Sequence, residues 1–191
     1  MTFVTNINEK VHQETGLDIH TWGASMSPEL GTVVWATVVE SLEELEAAQD
    51  KLAVSDSFLE MAEKGAHLFA GPLQDGLAQI VTGAFDRSAP LPAYVSVARA
   101  VVANGRLSDG MAAGIEIAEL ATEITGVPTS FLVDATGAYG GCRWNSGVAD
   151  IGTLDRSQAA LMADERWLQL IDRVGTCFQD GVSQSIYRRI I

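Results

Sequence analysis

Six side chains on predicted strands have the types and the spacing to line one binding surface. Residues two apart on a strand point to the same face, so His20 and Trp22 share a face, as do Arg143 and Asn145. Arg99 is the one charge in a stretch of Val and Ala, and a charge on an apolar strand face needs a partner, water or a ligand. We therefore expect a ligand-binding pocket lined by His20, Trp22, Trp35, Arg99, Arg143 and Asn145.

The same residues also have a purely structural interpretation. Tryptophans on strands can fill the space between two sheets, and Arg143 can lie at a wet edge. Trp144 has the opposite parity to Arg143, so we expect it to pack against helices. An enclosed cavity with convergent polar groups would favour binding, whereas an interior filled by side chains would not.

Other common catalytic and metal-binding patterns are absent from the sequence. His12 and His67 fall in predicted helices without further ligands at suitable spacing, so we expect no metal site. Haem held through one histidine stays open as an alternative, although we predict no cofactor. The glycine-rich residues 137–141 lack the lysine of a phosphate-binding loop. No catalytic residue can be assigned from spacing alone.

Composition narrows the classes of partner. The chain has 191 residues, of which 25 are acidic and 12 basic, and this net charge of −13 disfavours nucleic acid. Hydrophobic residues make up 47%, enough for a packed core. We see no apolar run of about 18 residues and no signal peptide. We expect a cytoplasmic protein with a small-molecule partner and no membrane partner.

The two halves of the chain resemble each other in sequence. An offset of 110 residues aligns Thr15-Gly16 with Thr125-Gly126, and an offset of 109 aligns Leu45 with Leu154 and Phe69 with Phe178. Such a match predicts an internal repeat. We expect one repeat over residues 1–86 and a second over residues 90–191.

The second half predicts a complete β-α-β-β-α-β unit. Val- and Ala-rich residues 92–103 are typical of a strand, and Ser108 or Asp109 can cap a helix that Gly126 and Pro128 end. Strands 129–135 and 142–149 flank the glycine-rich turn. A long amphipathic helix over 153–174 and a strand over 182–190 complete the unit.

The first half predicts the same order with one deficiency. A helix over residues 8–15, strands over 17–24 and 32–40, a helix over 42–66 and a strand over 77–83 correspond to the second half. Only residues 2–5 remain for a first strand, which is therefore short, missing or replaced. Ser57 and Glu60 form a capping-box pattern that predicts a restart within the long helix.

This element order is the ferredoxin-like motif. Residues 32–39 are apolar on both faces of their strand, which predicts that both faces are buried. The predicted fold class is α+β, with two tandem ferredoxin-like repeats whose antiparallel sheets pack face to face as an α/β barrel.

The element order and residues 39–46 (VESLEELE), with the helix break at residues 55–58, resemble the dimeric α/β-barrel superfamily. That superfamily includes antibiotic-biosynthesis monooxygenases, stress-responsive barrel proteins and NIPSNAP-like proteins. The resemblance implies a cofactor-free monooxygenase-like enzyme acting on an apolar or aromatic substrate, or else a non-catalytic ligand-binding or assembly barrel. In that superfamily two such units form a barrel, usually across a dimer, whereas here both units would lie in one chain. We therefore expect the chain to make its own barrel or pseudo-dimer, with pairing into a homodimer as a second, separate step.

A second resemblance competes with the first. Residues 126–137 (GVPTSFLVDATG) are similar to the cis-proline strand and hairpin of thioredoxin-like proteins. The chemistry of that fold depends on a C-x-x-C pair. The two cysteines here, Cys142 and Cys177, form no such pair.

Overall fold

A computed structural model of the chain describes residues 2–83 and 89–190, which alternate between helices and antiparallel strands. The end of the first predicted repeat, at residue 86, lies outside the described residues. The elements are α1 (Thr2–Thr15), β1 (His20–Ala24), β2 (Val33–Ala36), α2 (Leu42–Ala53), α3 (Asp56–Gly65), β3 (Ala78–Thr82), β4 (Tyr94–Val101), α4 (Leu107–Thr125), β5 (Thr129–Asp134), β6 (Gly141–Val148), α5 (Ile151–Ala163), α6 (Glu165–Val174) and β7 (Ser183–Arg189), with 3₁₀ turns at Ala66–Leu68 and Gly175–Cys177.

The chain divides into two compact units. Unit 1 comprises residues 1–23, 31–75 and 189–191, and unit 2 comprises residues 24–30 and 76–188. Unit 1 thus contains α1, most of β1, β2, α2 and α3, whereas unit 2 contains the remaining helices and strands. The placement of the repeat boundary between residues 86 and 90 stays a prediction.

Unit 2 contains the complete ferredoxin-like motif. Its strands are antiparallel in the order β7-β4-β6-β5-β3, and the first four of these follow the β-α-β-β-α-β connectivity. The added strand β3 pairs with β5. This order confirms the predicted α+β ferredoxin-like fold class and leaves no support for the thioredoxin-like alternative.

Helices α4, α5 and α6 cover one face of this sheet. Phe131, Cys142 and Trp144 point from β5 and β6 into the helical layer, where they meet Ala118 of α4 and Leu170 of α6. The indole of Trp144 donates a 2.8 Å hydrogen bond to the carbonyl of Gly114. The expectation that Trp144 packs on helices is thereby confirmed.

The first strand of the first half is replaced, which is one of the three outcomes that the sequence predicts, because residues 2–5 begin helix α1. β-branched residues favour strands only weakly, and tertiary contacts override such preferences. Here the ring of Phe3 packs where Gly65 has no side chain and lies edge-on to Phe69 at 6.1 Å between ring centroids. Helix α1 is further tied to β1 by two hydrogen bonds between Asn8 and the wholly buried Thr21.

The long helix of each half is broken, as predicted at residues 55–58 of the first. The N-cap of α3 is Ser55, which accepts from the amide of Phe58, and not the predicted Ser57. In the second half, Asp164 caps α6. Helix α4 also begins earlier than predicted, at Leu107. Its N-cap, Arg106, makes no side-chain capping bond and pairs instead with Asp109 at 3.1 Å.

Within the described residues, no helix is long and apolar enough to cross a membrane.

Candidate functional site

Three of the six predicted site residues share one face of the unit 2 sheet. Arg99 of β4 lies directly opposite Arg143 of β6, and Val97 lies opposite Asn145. Because cross-strand partners share a face, Asn145 is the diagonal neighbour of Arg99. Odd-numbered positions of β4 point away from the core residues Ala98 and Ala100, so this is the face opposite the helices.

The other three predicted residues lie in unit 1 and do not share one face. Trp22 pairs with Val34, whereas Trp35 pairs with the buried Thr21 on the face toward α1. There the Trp35 ring lies 6.1 Å from that of Phe69. His20 and Trp22 occupy the opposite face of β1.

A difference of one residue in register explains the position of Trp35. In unit 2, Leu132 pairs with Arg143, but in unit 1 the equivalent Trp22 pairs with Val34 instead of Val33. A slip of one residue exchanges the two faces of a strand. Trp35 is therefore not the structural counterpart of Asn145.

Arg99 belongs to a cluster of polar side chains that sequence spacing did not reveal. Its Nη2 donates to the Tyr187 hydroxyl at 3.1 Å, and its Nη1 lies 3.7 Å from the Glu29 carboxylate. Glu29 also accepts hydrogen bonds from the hydroxyls of Tyr187 and of the buried Ser185. We call Glu29, Arg99, Asn145, Ser185 and Tyr187 the polar cluster.

Two of these partners could have been inferred in part. Ser185 and Tyr187 alternate on β7 and pair with Val97 and Val95 of β4, so strand parity would have placed them beside Arg99 once the pairing was known. Glu29 lies in the loop between β1 and β2. No periodicity identifies it.

The environment of Tyr187 favours its neutral form. Burial raises the pKa of the Tyr187 phenol, and its hydrogen bond to Glu29 raises that pKa further, whereas Arg99 opposes the shift. Tyr187 therefore acts as a hydrogen-bond donor to Glu29 at neutral pH.

Arg143 has a structural partner. Its Nε donates to Oδ1 of Asp134 at 2.8 Å, and its Nη2 contacts the same carboxylate oxygen. Both side chains are largely buried, with 26% and 19% of their areas exposed. This ion pair accounts for Arg143 without a ligand.

A cavity of about 330 Å³ lies on the opposite face of the same sheet, beneath helices α4, α5 and α6. We call it the helix-side cavity. Its lining is mostly apolar and is contributed by every layer of unit 2. The lining residues are Ser96, Ala98, Ala100, Ile117, Ala121, Thr125, Val127, Thr129, Trp144, Ser146, Val148, Leu154, Ser157, Gln158, Leu161, Met162, Trp167, Ile171, Val174, Gly175, Phe178, Val182 and Gln184.

Small side chains on the central strand account for this space. Ala98 and Ala100 of β4 form part of the cavity floor, so the aromatic rings of Trp144, Trp167 and Phe178 have no large residue facing them there. Trp144 and Phe178 meet edge-on at 5.5 Å between ring centroids. None of the six predicted site residues lines the cavity. The sequence signal for the cavity is the pair of small residues, Ala98 and Ala100, on one face of β4.

Polar groups in the lining are few and mostly paired with each other. The hydroxyls of Thr129 and Ser146 are 2.8 Å apart, and Gln184 Nε2 donates to the Ser96 hydroxyl at 3.0 Å. Each hydroxyl can still accept one more hydrogen bond. The lining thus suits an apolar ligand that carries an occasional hydroxyl group.

Among the described residues that line the cavity, none is a histidine and none has another ionisable side chain. These residues therefore offer neither a general base nor the axial ligand that histidine-bound haem requires. Across residues 2–83 and 89–190, no group of three or more His, Cys, Asp or Glu side chains is arranged to hold a metal ion.

Comparisons with known proteins support the fold. No protein-family profile matches the sequence, and no curated protein sequence matches it. A candidate monooxygenase from Fusobacterium nucleatum subsp. nucleatum is similar in structure, with a TM-score of 0.68 at 8% identity, over 100% of this chain and 84% of that one.

Two further solved structures resemble the chain. An anthrone oxidase-like protein gives a TM-score of 0.63 at 11% identity, over 100% of this chain and 84% of that one. A candidate monooxygenase from Lactobacillus acidophilus gives 0.58 at 12% identity, over 98% and 84%. At these identities the likeness shows the fold alone, and the chain shares the tandem ferredoxin-like fold with these structures.

Proposed function

We propose that this protein binds a small apolar or aromatic molecule in the helix-side cavity and acts on it as a monooxygenase-like enzyme. The observation that carries the proposal is the cavity itself. Its volume of about 330 Å³ falls at the lower end of the range for small-molecule sites, and its walls are aromatic and aliphatic. Similar structures named as monooxygenases and as an anthrone oxidase-like protein support the choice of reaction.

The lining determines which oxidation the site can assist. Without a general base in the wall, the substrate itself must have an acidic C–H bond, whose proton leaves to water. Molecular oxygen is the oxidant. One of its oxygen atoms converts a substrate methylene into a carbonyl group, and the other leaves as water. The residues contribute by holding the ring between Trp144, Trp167 and Phe178.

A second candidate function is binding without catalysis. The same absence of ionisable side chains from the lining favours it, because such a cavity can sequester an apolar ligand without changing it. The two candidates share the binding step and differ in the consumption of oxygen.

The binding step is tested by filling the cavity. Ala98→Phe places a ring in the floor, and we expect it to abolish quenching of tryptophan fluorescence by anthrone, a three-ring aromatic ketone. Ala112→Phe, on the exposed side of α4, is the matched control and should bind like the wild type. Equal quenching in all three proteins would show that anthrone does not bind in the cavity.

The catalytic step is tested with an oxygen electrode and no added cofactor. We expect the wild-type protein to increase the rate of oxygen uptake by anthrone and Ala98→Phe to lose that increase. Binding that Ala98→Phe removes, without any increase in oxygen uptake, would favour the non-catalytic candidate.

A further inference from the structure

We propose that the polar cluster is a second ligand site, on the sheet face opposite the helix-side cavity, for a small neutral molecule that carries both a carbonyl oxygen and a hydroxyl group. The residues that contact the ligand are Arg99 and Asn145, and Glu29, Tyr187 and Ser185 hold the guanidinium in place. This inference does not depend on the proposed function, because the two sites share no residue.

Two buried polar atoms in the cluster have no hydrogen-bond partner within the described part of the chain. They are Nη1 of Arg99, a donor, and Oδ1 of Asn145, an acceptor. A buried donor or acceptor without a partner costs about 1–3 kcal/mol, more when it is charged, and native proteins rarely leave such groups unsatisfied. Trp35 Nε1 is also unsatisfied, but it lies in unit 1 among aromatic rings.

The two atoms belong to neighbouring strands and to one face. Val97 lies opposite Asn145, and Arg99 is two residues further along β4. Diagonal neighbours on adjacent strands are within reach of one small molecule. A ligand between them would accept a hydrogen bond from Arg99 and donate one to Asn145.

The surrounding hydrogen bonds select which atom of Arg99 is free. Nη2 is engaged by the Tyr187 hydroxyl at 3.1 Å, and the guanidinium carbon lies 5.7 Å from the centre of the Tyr187 ring. Nη1 faces the Glu29 carboxylate at 3.7 Å, too far for a hydrogen bond. The two N–H groups of Nη1, on a guanidinium held in place by its neighbours, are therefore left for a ligand.

The charges near this donor favour a neutral ligand. Glu29 compensates the charge of Arg99, and the neighbouring Arg143 is paired with Asp134. An anion would meet an already neutralised guanidinium and would be repelled by Glu29. The side chains of Arg99 and Glu29 remain 35% and 42% exposed, but the two unpartnered atoms are themselves covered, so a ligand reaches them by displacing the exposed part of one of these side chains.

The test uses three small probes on the full-length protein. Lactamide carries a carbonyl oxygen and a hydroxyl group, N,N-dimethylpropanamide keeps the carbonyl oxygen but has no hydrogen-bond donor, and lactate is the anion. We expect lactamide to shift the NMR signals of the Asn145 side-chain amide and the Arg99 Nε–H. N,N-Dimethylpropanamide should bind at least roughly tenfold more weakly, as for the loss of one hydrogen bond.

Substitutions at the two residues that contact the ligand test whether lactamide binds at the polar cluster. Asn145→Leu and Arg99→Gln should each weaken lactamide binding about tenfold or more. Arg188→Gln, a control on the same sheet next to Tyr94, should bind like the wild type. Unchanged backbone spectra establish that each variant is folded.

Three results would overturn the proposal: no shift with lactamide, which would leave the two atoms to ordered water; shifts that survive both variants; or lactate binding more tightly than lactamide. The fluorescence of the cavity variants is a separate measurement, so failure here leaves the proposed function untouched.

Discussion

Burial decides the chemistry of the Cys142 side chain. The residue is 1% exposed, and burial raises the pKa of its thiol to about 11, with a smaller contribution from the charge of Asp134. The thiol remains protonated at neutral pH and contacts the carbonyl oxygen of Ala100 at 3.6 Å. Cys142 is therefore a packing residue and not a nucleophile.

The raised pKa of Cys142 predicts a loss of stability at alkaline pH. An unfolded thiol titrates near pH 8.5, so the folded state binds the proton more tightly and its advantage is complete below that pH. Between about pH 8.5 and 11, the free energy of unfolding should fall roughly 3 kcal/mol more in the wild type than in Cys142→Ala. Urea unfolding at several pH values measures this difference. Parallel curves for the two proteins would contradict it.

Single residues also show what sequence spacing could reveal about the candidate sites. Arg99 was recognisable because one charge interrupts an apolar strand, and it does lie among polar partners. Glu29 was not recognisable, because a loop has no periodicity from which its direction could be inferred. The helix-side cavity arises because the side chains of Ala98 and Ala100 are small. Small residues on a strand are a weaker signal in a sequence than a single charge.

At the scale of elements, the contact between α4 and the sheet depends on Gly114. A Cβ at this position would overlap the ring of Phe131, and the Gly114 carbonyl accepts the Trp144 indole hydrogen bond. Glycine inside a helix normally costs about 1 kcal/mol relative to alanine. The close approach of the two elements explains why glycine nevertheless occurs here.

Gly114→Ala should therefore destabilise the protein despite the better helix propensity of alanine. We expect a loss of about 1–3 kcal/mol from overpacking, measured by urea unfolding. Gly175→Ala is the matched control, because Gly175 has helical backbone angles and no atom within 4 Å of the added Cβ. The control should be neutral or slightly stabilising. A stable Gly114→Ala variant would show that α4 can move away from the sheet.

Elements differ in how far the sequence could predict them. The second repeat was predicted nearly completely because its strands and helices have clear periods and stop signals, such as Gly126 with its positive φ of 69°. Helix α1 was not predicted over its first residues, because contacts of Phe3 with distant residues override local preference. The register of β1 and β2 depends on the loop between them, and periodicity does not specify a shift of one residue.

At the scale of the whole molecule, homodimer formation stays a prediction from the superfamily resemblance. One chain has a mass of 20.3 kDa, and we expect light scattering to give twice that mass. The fraction of dimer should rise with protein concentration. A mass of one chain at every concentration would contradict the prediction. The mass of Ala112→Phe should be measured beside that of the wild type, because this variant changes only an exposed residue of α4 and shows whether a surface substitution alters dimer formation.

The two units should differ in local stability. Among the described residues, the buried apolar side chains of unit 1 are Val11, Trp22 and Ala48, whereas unit 2 has a large cluster around Phe131 and Trp144. Because local opening free energy follows buried apolar contact, amides of α1 and α2 should exchange with solvent hydrogen at lower free energies than those of α4 and β6. Hydrogen exchange followed by mass spectrometry measures both in one sample. Gly114→Ala should lower the protection of unit 2, so the opening free energies of the two units should differ less than in the wild type. Equal opening free energies in the wild type would show instead that the whole chain unfolds as one cooperative unit.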